Sequence, residues 1–404
     1  MTRTGVLVLE STGVPSSLPR GPISAKERSL APDLARGLML LFIALANSAI
    51  YLYGREYGPR QRLAEGSALD HAWTLVQMTF VDGRAYPMFA ALFGYGIATI
   101  LARQLAAGAT WDDARLLLRR RSWWLLAFGF VHALVLFPGD ILATYAVSGL
   151  LVLSLLRCSD AKLLRVAVGL AVPAFLLGSG MGLPPEDPRE RLIIPSLAEP
   201  NPTLATTMRL SEWAINALIQ VVLVLTPMLL GVWAARRRLL DAPEQHRGFL
   251  RRAALVGIGV AAAGGLPLAL AAAQLWRPGA LPVDLLIGAL HTISGTAGGL
   301  GYAALIGLVA VRLRAPYGPV VTALAACGER SLSCYLAQSV VFVAALAPYA
   351  GGLGAELGGA EVAVFAVATW AVTVAGADLL RRWGRRGPAE VLLRRLTYRG
   401  VARA

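Results

Sequence analysis

Long apolar runs separated by short polar blocks dominate the chain. A helix that crosses a bilayer needs about 20 mostly apolar residues, and ten runs approach or reach that length. They cover approximately residues 34–53, 86–102, 122–137, 141–157, 165–182, 212–235, 253–275, 285–311, 331–347 and 361–379. The pattern predicts an all-α fold, a polytopic integral membrane helical bundle with about ten transmembrane helices.

Two parts of the pattern are less regular. The third and fourth runs are short, and they are joined by Phe137-Pro138-Gly139-Asp140, a turn sequence ending in a residue that favours helix starts. We therefore expect a tight hairpin there. Residues 71–83 are apolar without forming a clean span, and we expect them to lie at the membrane interface or to dip in from outside.

The positions of the charged residues orient the predicted bundle. The 404 residues are 56% hydrophobic and only 15% charged, whereas soluble chains are about 25% charged. If both termini are cytoplasmic, 29 of the 38 Lys and Arg residues fall on the cytoplasmic side and seven in external loops. The net charge of +14 is then an orientation signal. We predict a lipid bilayer as the partner and no nucleic acid.

We divide the chain into three parts. Residues 1–30 are expected to form a flexible cytoplasmic tail, 31–380 the transmembrane bundle, and 381–404 a basic cytoplasmic tail. The largest external loop, 183–211, is rich in proline and is expected to form an irregular cap. The three cysteines are Cys158, Cys327 and Cys334. They have no paired spacing, so we predict neither a disulfide framework nor a cysteine metal site.

Ionisable side chains within the apolar segments are the candidate functional residues, because placing charge in hydrocarbon costs several kcal/mol. On the predicted topology they form two layers. The outer layer contains His71, Asp82, Arg84, His132, Asp140, Glu212, Asp284 and His291. The inner layer contains Asp33, Arg36, Arg119, Arg120, Arg121, Glu329, Arg330, Asp378, Arg381, Arg394 and Arg395.

His132 and Asp140 are the pair in the outer layer that the sequence most clearly brings together. The hairpin returns Asp140 towards His132, which lies well inside the preceding helix. One interpretation is a neutral buried imidazole bonded to a carbonyl, with Asp140 as a helix cap. The other is a general base whose ring is oriented by the carboxylate. The sequence leaves both open.

Glu329 and Arg330 open the ninth predicted span. Because neighbours in sequence do not face each other on a helix, each is expected to pair elsewhere. Arg330 would pair with Asp33 or Asp378, and Glu329 with Arg36 or a carboxy-terminal arginine. The result is either an ion network that locks the helices together or an anion pocket at the cytoplasmic face.

Five ordered motifs extend along the chain after residue 30. They are Ala31–Gly37, Asp82–Phe89 with Leu92–Gly96, Leu117–Leu153 containing Gly139–Ala146, Gly328–Ser339, and Gly387–Tyr398. Together they resemble the YeiB-like family of bacterial inner-membrane proteins, catalogued as domain of unknown function 418. The resemblance implies a multi-pass protein of the bacterial cytoplasmic membrane.

At greater distance the chain is similar to membrane acyltransferases, including the heparan-glucosaminide acetyltransferases and the sugar O-acyltransferases. In the glucosaminide enzymes the first span also starts with Asp-x-x-Arg-Gly, the pattern of Asp33–Gly37. A catalytic histidine precedes the block that is comparable to Asp82–Phe89, and His71 occupies the comparable place. The resemblance therefore implies acyl transfer, with His71 as a candidate catalytic residue.

The inner layer suits the donor side of such a reaction. Acyl-CoA carries several phosphate charges, which arginine forks bind well. We predict a donor-binding site for acyl-CoA as a co-substrate, with no permanently bound cofactor and no metal, formed by Asp33, Arg36, Glu329 and Arg330.

The outer layer suits the acceptor side. His71, or His132 with Asp140, would remove the proton from a hydroxyl or amine acceptor, a small-molecule substrate reached from within or across the membrane. The alternative is a transporter or exporter of a small metabolite that uses the same buried charges without covalent chemistry. A scaffold role has no positive feature in the sequence.

Overall fold

The structure, a computed structural model, describes residues 29–399, which form thirteen α-helices joined by turns and short 3₁₀ segments. The described residues contain no β-strand beyond one isolated bridge between Tyr57 and Leu63, so the all-α prediction is confirmed. The predicted flexible tail 1–30 lies outside the described residues except for its last two. The helices are α1 (Leu30–Ser48), α2 (Ala68–Phe80), α3 (Ala85–Ala106), α4 (Trp111–Val135), α5 (Ile141–Val152), α6 (Asp160–Ser179), α7 (Pro202–Arg236), α8 (Arg247–Ala272), α9 (Leu281–Arg312), α10 (Pro319–Glu329), α11 (Ser331–Leu346), α12 (Gly359–Arg382) and α13 (Pro388–Tyr398).

Seven helical segments are long and apolar enough to cross a membrane. They are Leu30–Tyr51, Ala68–Ala106, Asp160–Gly182, Pro202–Arg236, Pro243–Ala272, Leu281–Arg312 and Gly359–Arg382. Their outward faces are apolar: Val168, Leu218 and Val372 are each more than 70% exposed. Such surfaces are unfavourable in water and ordinary against lipid. The chain has the architecture of an α-helical membrane protein.

The apolar stretch 71–83 belongs to α2 and to the turn that follows it. Gly83 makes this turn with φ +73°, a conformation that favours glycine, and a Cβ there would lie 2.9 Å from the His291 ring. The turn brings Asp82 and Arg84 to a buried junction between α2, α3 and α9.

The ninth predicted span is only part of a broken helix pair. An unpredicted helix, α10, precedes α11, and the two are joined at Arg330, whose φ of −113° and ψ of 26° are not helical. The backbone of α10 touches α1 directly. A Cβ on Gly37 would lie 2.1 Å from the Leu324 carbonyl oxygen, and one on Gly328 would lie 1.8 Å from the Asp33 carbonyl oxygen. Glycine at both positions lets this junction form.

Close backbone contact also joins α3 to α7. A Cβ on Gly94 would lie 2.0 Å from the Met228 carbonyl oxygen, and one on Gly231 would lie 1.9 Å from the Ala91 carbonyl oxygen. Membrane helices commonly associate through small residues of this kind, since lipid supplies little hydrophobic drive between them.

Two arginines of the predicted external loop 183–211, Arg191 and Arg209, bond to backbone carbonyls. Arg191 donates to Leu52 O at 2.5 Å and also to Ile50 O, and Arg209 donates to Val135 O at 3.0 Å. The predicted loop 183–211 ends early, because α7 begins at Pro202. Arg191 and Arg209 therefore connect this segment to the helices that it covers.

The basic segment 381–404 contains a docked helix, α13. The Glu390 carboxylate accepts hydrogen bonds from the backbone N–H groups of Leu332 at 2.8 Å and Ser333 at 3.1 Å. These are free N–H groups of the first turn of α11, where a carboxylate is favourable. This contact fixes α13 across the end of α11.

Candidate functional site

A cavity of about 1060 Å³ lies between α1, α3, α4 and α11 and extends to α12 and α13. Its α12–α13 end is formed by exposed residues, so it is open there. Nine arginines and four carboxylates line it, an excess that attracts anions. We call it the arginine cavity. The arginines are Arg36, Arg103, Arg121, Arg238, Arg330, Arg381, Arg385, Arg386 and Arg394, and the acids are Asp33, Asp241, Glu329 and Glu390.

The four residues predicted to bind the donor all line this cavity, together with several carboxy-terminal arginines. Their predicted convergence is confirmed, and their role in binding stays a prediction. Asp33 and Arg36 come from α1 and form an ion pair at 2.9 Å, while Glu329 and Arg330 come from the α10–α11 junction.

Arg330 bonds mainly to backbone. Its guanidinium donates to Ala326 O at 3.0 Å and to Arg385 O at 2.7 Å, and it lies 3.5 Å from the Glu329 carboxylate. We expected that Glu329 and Arg330 would not face each other. This expectation is wrong, because the helix breaks between α10 and α11 and the two side chains meet. Arg330 thereby ties this junction to the segment between α12 and α13.

The expected pairing of Arg330 with Asp33 or Asp378 is also wrong. Asp378 instead bonds to Arg381 and Arg382, both at 2.8 Å and within one turn of the same helix. Asp33 likewise has Arg36 three residues along. Close i,i+3 and i,i+4 partners compete successfully with partners on other helices.

The cavity runs deep into the bundle. Along α3 its lining extends from Arg103 to Phe89. These residues are about 21 Å apart along the helix axis, at a rise of 1.5 Å per residue. At the far end the lining becomes aromatic and apolar, with Phe89, Tyr145, Tyr335 and Ile141. The rings of Phe89 and Tyr145 stack with centroids 5.9 Å apart. The cavity therefore has a basic mouth and an aromatic inner end.

His132 and Asp140 meet beyond this inner end. His132 Nδ1 lies 2.8 Å from Asp140 Oδ1, as the hairpin predicted. Asp140 Oδ2 also accepts the Ala143 N–H at 2.7 Å, so the carboxylate both caps α5 and holds the imidazole. Gly129, one turn before His132, leaves room for this contact, because a Cβ there would lie 2.3 Å from Asp140 Oδ2. In the neutral imidazole, donation from Nδ1–H to this carboxylate leaves Nε2 as an acceptor.

Sequence reasoning missed the third member of this group, Ser339. Its Oγ lies 2.8 Å from His132 Nε2, and also 3.3 Å from the Tyr335 carbonyl oxygen. His132 is 2% exposed, Asp140 1% and Ser339 4%, so the three are buried. Ser339 lies in a matched motif but 207 residues from His132, and its helix pattern gives no sign of the contact.

Tyr335 separates the cavity from this group. Its ring lines the inner end of the cavity and also contacts the His132 ring, with centroids 4.9 Å apart. The described lining of the cavity includes neither His132 nor His71. One aromatic layer, the Tyr335 ring, therefore lies between the arginine cavity and His132.

His71 lies apart from both groups. It is half-buried in the first turn of α2, next to Asp70, which accepts the Ala360 N–H at 2.8 Å. The structure thus does not bring His71 together with His132 and Asp140.

A second buried polar group surrounds Asp82. Its carboxylate pairs with Arg60 at 2.7 Å and with Arg62 at 3.0 Å, both from the loop before α2. Arg84, fully buried, donates to Ala261 O at 2.7 Å and contacts the His291 ring at 3.1 Å. Sequence reasoning placed Asp82, Arg84 and His291 in one layer without identifying the loop arginines as partners.

The site thus offers anion binding and proton transfer by side chains. Among the described residues, no group of three or more His, Cys, Asp or Glu side chains is placed to hold a metal ion. The arginine cavity can hold a polyanion, and His132 carries an oriented imidazole beside a hydroxyl.

Comparison with known proteins shows what this chain is similar to. Residues 234–400 match the family described as "Protein of unknown function (DUF418)". The chain is 24% identical over 413 residues to the uncharacterized protein YxaH of Bacillus subtilis strain 168, covering 93% of this chain and 96% of that protein. It is 25% identical over 427 residues to the uncharacterized protein YeiB of Escherichia coli K12, covering 94% and 98%. A shorter match, 34% identical over 132 residues, covers 33% of this chain and 35% of a 39.9 kDa protein of Bacillus acidopullulyticus. These matches confirm the resemblance to the YeiB-like family, and the relatives are bacterial.

Proposed function

We propose that this YeiB-like membrane protein transfers an acyl group from acyl-CoA, held in the arginine cavity, to a hydroxyl or amine acceptor reached from within or across the membrane. The observation that carries the proposal is the cavity itself. It has a basic mouth, a depth of about 21 Å along α3, and an aromatic inner end that rests against His132.

We also propose ten spans, with both termini in the cytoplasm of a bacterial cell. Seven segments are long and apolar enough to span a membrane, and α4, α5 and α11 would complete the ten. Helix α4 is long but too rich in arginine to count among the seven, and α5 and α11 are apolar but shorter than 18 residues. Under this topology the mouth of the cavity opens to the cytoplasm, where acyl-CoA is found. The excess of Lys and Arg on that side supports the orientation.

The donor would bind with its phosphates at the mouth. Arg385, Arg386 and Arg394 cluster there around the α12–α13 junction. The volume of about 1060 Å³ lies at the upper end of the range for small-molecule sites, as a ligand of coenzyme size requires. The thioester would then lie at the inner end, near Tyr145 and Tyr335.

The base of the reaction would be His132. Asp140 fixes its tautomer and supports the positive charge that forms when Nε2 accepts a proton. His71, which the distant resemblance implies, would be the base only if the acceptor enters beside α2. The two histidines lie on different helices, so substitution separates these routes.

The test uses purified protein in nanodiscs with acetyl-CoA. We expect His132→Ala to slow transfer to an amine or alcohol acceptor by roughly 10²–10⁴-fold, the usual contribution of a general base, while donor binding remains. His71→Ala should leave the rate within a few-fold of the unaltered protein. If His71→Ala abolishes transfer and His132→Ala does not, the assignment of the base is reversed.

Donor binding is tested with Arg121→Ala. Arg121 lines the cavity and lies over the Phe93 ring at 5.0 Å, whereas Arg119 on the same helix is exposed and outside the lining. Arg121→Ala should weaken acetyl-CoA binding in calorimetry, and Arg119→Ala should not. Equal affinities for the two variants would argue against the cavity as the donor site.

A second function, transport of an anionic metabolite, is favoured by one feature. The cavity opens at its basic end and is closed at the other by Tyr335 and the buried His132 group, as one conformation of an alternating-access transporter would be. Protein that binds no acyl-CoA but moves an anion across vesicles in a pH-dependent manner would replace the enzyme proposal with this one.

A further inference from the structure

Asp140, His132 and Ser339 form a chain of two short contacts across three helices. The distances are 2.8 Å from Asp140 Oδ1 to His132 Nδ1 and 2.8 Å from His132 Nε2 to Ser339 Oγ. This is the arrangement that activates a nucleophile: a hydroxyl within hydrogen-bond reach of a base, and the base oriented by a third group. All three side chains are buried in an apolar bundle, where polar groups are costly.

We propose that Ser339 is a nucleophile and that the acyl group passes through a serine ester. This inference rests on the proposed acyl transfer and specifies its route. It distinguishes a two-step reaction on the protein from direct attack by the acceptor on the thioester.

In the first step Ser339 Oγ attacks the thioester carbonyl carbon, and its proton moves to His132 Nε2. The carbon–sulfur bond then breaks, and His132 returns the proton to the departing thiolate. The products are free CoA thiol and an ester on Ser339. Asp140 stabilises the imidazolium that exists between the two proton transfers.

In the second step the acceptor's hydroxyl or amine attacks the ester carbon, and His132 removes its proton. The bond from the carbonyl carbon to Ser339 Oγ breaks, and His132 protonates that oxygen. The acceptor leaves with the acyl group and the serine is regenerated. No oxidant, metal or water is consumed.

The surroundings of Ser339 supply two further groups. Tyr335 lies one turn before it and forms the wall towards the cavity, so the thioester reaches Ser339 when this ring turns away from His132. Tyr51 packs on Phe342, three residues after Ser339, with ring centroids 6.0 Å apart. Its buried hydroxyl has no hydrogen-bond partner among the described residues, and the proposed route assigns it as the donor to the developing oxyanion.

The experiment traps the ester. Purified protein in nanodiscs is incubated with radiolabelled acetyl-CoA without acceptor, quenched in acid, and mapped by mass spectrometry. We expect one acetyl group on Ser339 in the unaltered protein. His132→Ala should carry much less label, and Ser339→Ala should carry no label. Ser148→Ala, which removes a buried hydroxyl outside the cavity lining, should label normally.

Ser339→Cys provides a chemical control. Thiol in place of hydroxyl should move the label into a thioester that neutral hydroxylamine releases, whereas the serine ester resists it. Cys334, which is also buried on α11, is the competing acceptor of label, and Cys334→Ala should label like the unaltered protein. Label on Cys334 instead of Ser339 overturns the proposal.

The outcomes separate this inference from the proposed function. If acetyl-CoA binds and transfer proceeds, but no ester forms and Ser339→Ala transfers at the normal rate, the serine route is wrong and acyl transfer stands. If the protein neither binds acetyl-CoA nor transfers its acyl group, both fall.

Discussion

The arginine cavity and the group around Asp82 use the same side chain in opposite ways. Around Asp82 the guanidinium groups are directed at a carboxylate, a carbonyl and an imidazole, and Arg84 is fully buried. In the cavity the arginines outnumber the acids, and several at the mouth are exposed. Most guanidinium donors of the first arrangement bond to groups of the protein, whereas the second has more guanidinium groups than carboxylates among its lining residues.

This difference shows why counting arginines does not identify a site. Arginines in loops between helices, such as Arg60, Arg62 and Arg191, bond to Asp82 or to a backbone carbonyl. The arginines that line the arginine cavity are more numerous than its carboxylates. Several of them lie on α12, on α13 and in the segment between these helices, around the opening. The bonding partners and the burial of each guanidinium, and not the number of arginines, therefore indicate which of them are candidates for binding.

The largest effect is expected at Asp82. Asp82→Asn would leave the buried Arg62 and the half-buried Arg60 beside a neutral amide, and losing one partner of a buried ion pair costs about 3–5 kcal/mol. We expect a markedly lower midpoint of thermal unfolding in detergent and reduced yield. Asp378→Asn is the matched control, because Asp378 also pairs with two arginines but those are 42% and 67% exposed. Similar losses for the two variants would remove the distinction between the regions.

An intermediate effect is expected at Gly129. Gly129→Ala places a Cβ 2.3 Å from Asp140 Oδ2 and 2.4 Å from the Ala143 nitrogen, so α5 must shift away from α4. Overpacking of this kind costs about 1–3 kcal/mol, and the shift draws Asp140 away from His132. We expect transfer to fall at least about tenfold with acetyl-CoA binding unchanged.

The control for that substitution is Gly169→Ala on α6, where a Cβ meets nothing within 4 Å. It should leave transfer unchanged and stability equal or slightly higher, since alanine favours helix more than glycine. If Gly129→Ala retains full transfer, the contact between Asp140 and His132 is structural only.

Much of the fold followed from periodicity and charge. The apolar runs located the major helices, and the Pro138-Gly139 turn correctly placed Asp140 beside His132. Helix α10 was missed because its eleven residues are too short to register as a span. The docking of α13 was missed because it depends on Glu390 meeting the start of α11, a tertiary contact that no local pattern encodes.

The lining of the arginine cavity was predictable where its residues are rare and charged. Asp33, Arg36, Glu329 and Arg330 were found because charge is conspicuous in an apolar chain. Ser339 was not, since serine is common in membrane helices and packs them without chemistry. The contact between Glu329 and Arg330 was missed for a different reason: the break at Arg330 changes which side chains can meet, and the sequence did not indicate a break.

The smallest effect is expected on α13, where two adjacent arginines differ in whether they line the arginine cavity. Arg394 lines the arginine cavity and is half-buried, whereas Arg395 is exposed and outside its lining. A charge-assisted bond to a phosphate at a partly exposed site is worth about 1 kcal/mol, so Arg394→Ala should weaken acetyl-CoA binding about fivefold. Arg395→Ala should change it by less than about twofold, because screening weakens a more distant charge. Calorimetry at low and high salt would measure both, and the difference between them should shrink as salt rises. Equal losses for the two variants would mean that the helix contributes only a diffuse positive field, and that the cavity does not hold the donor phosphates at defined positions.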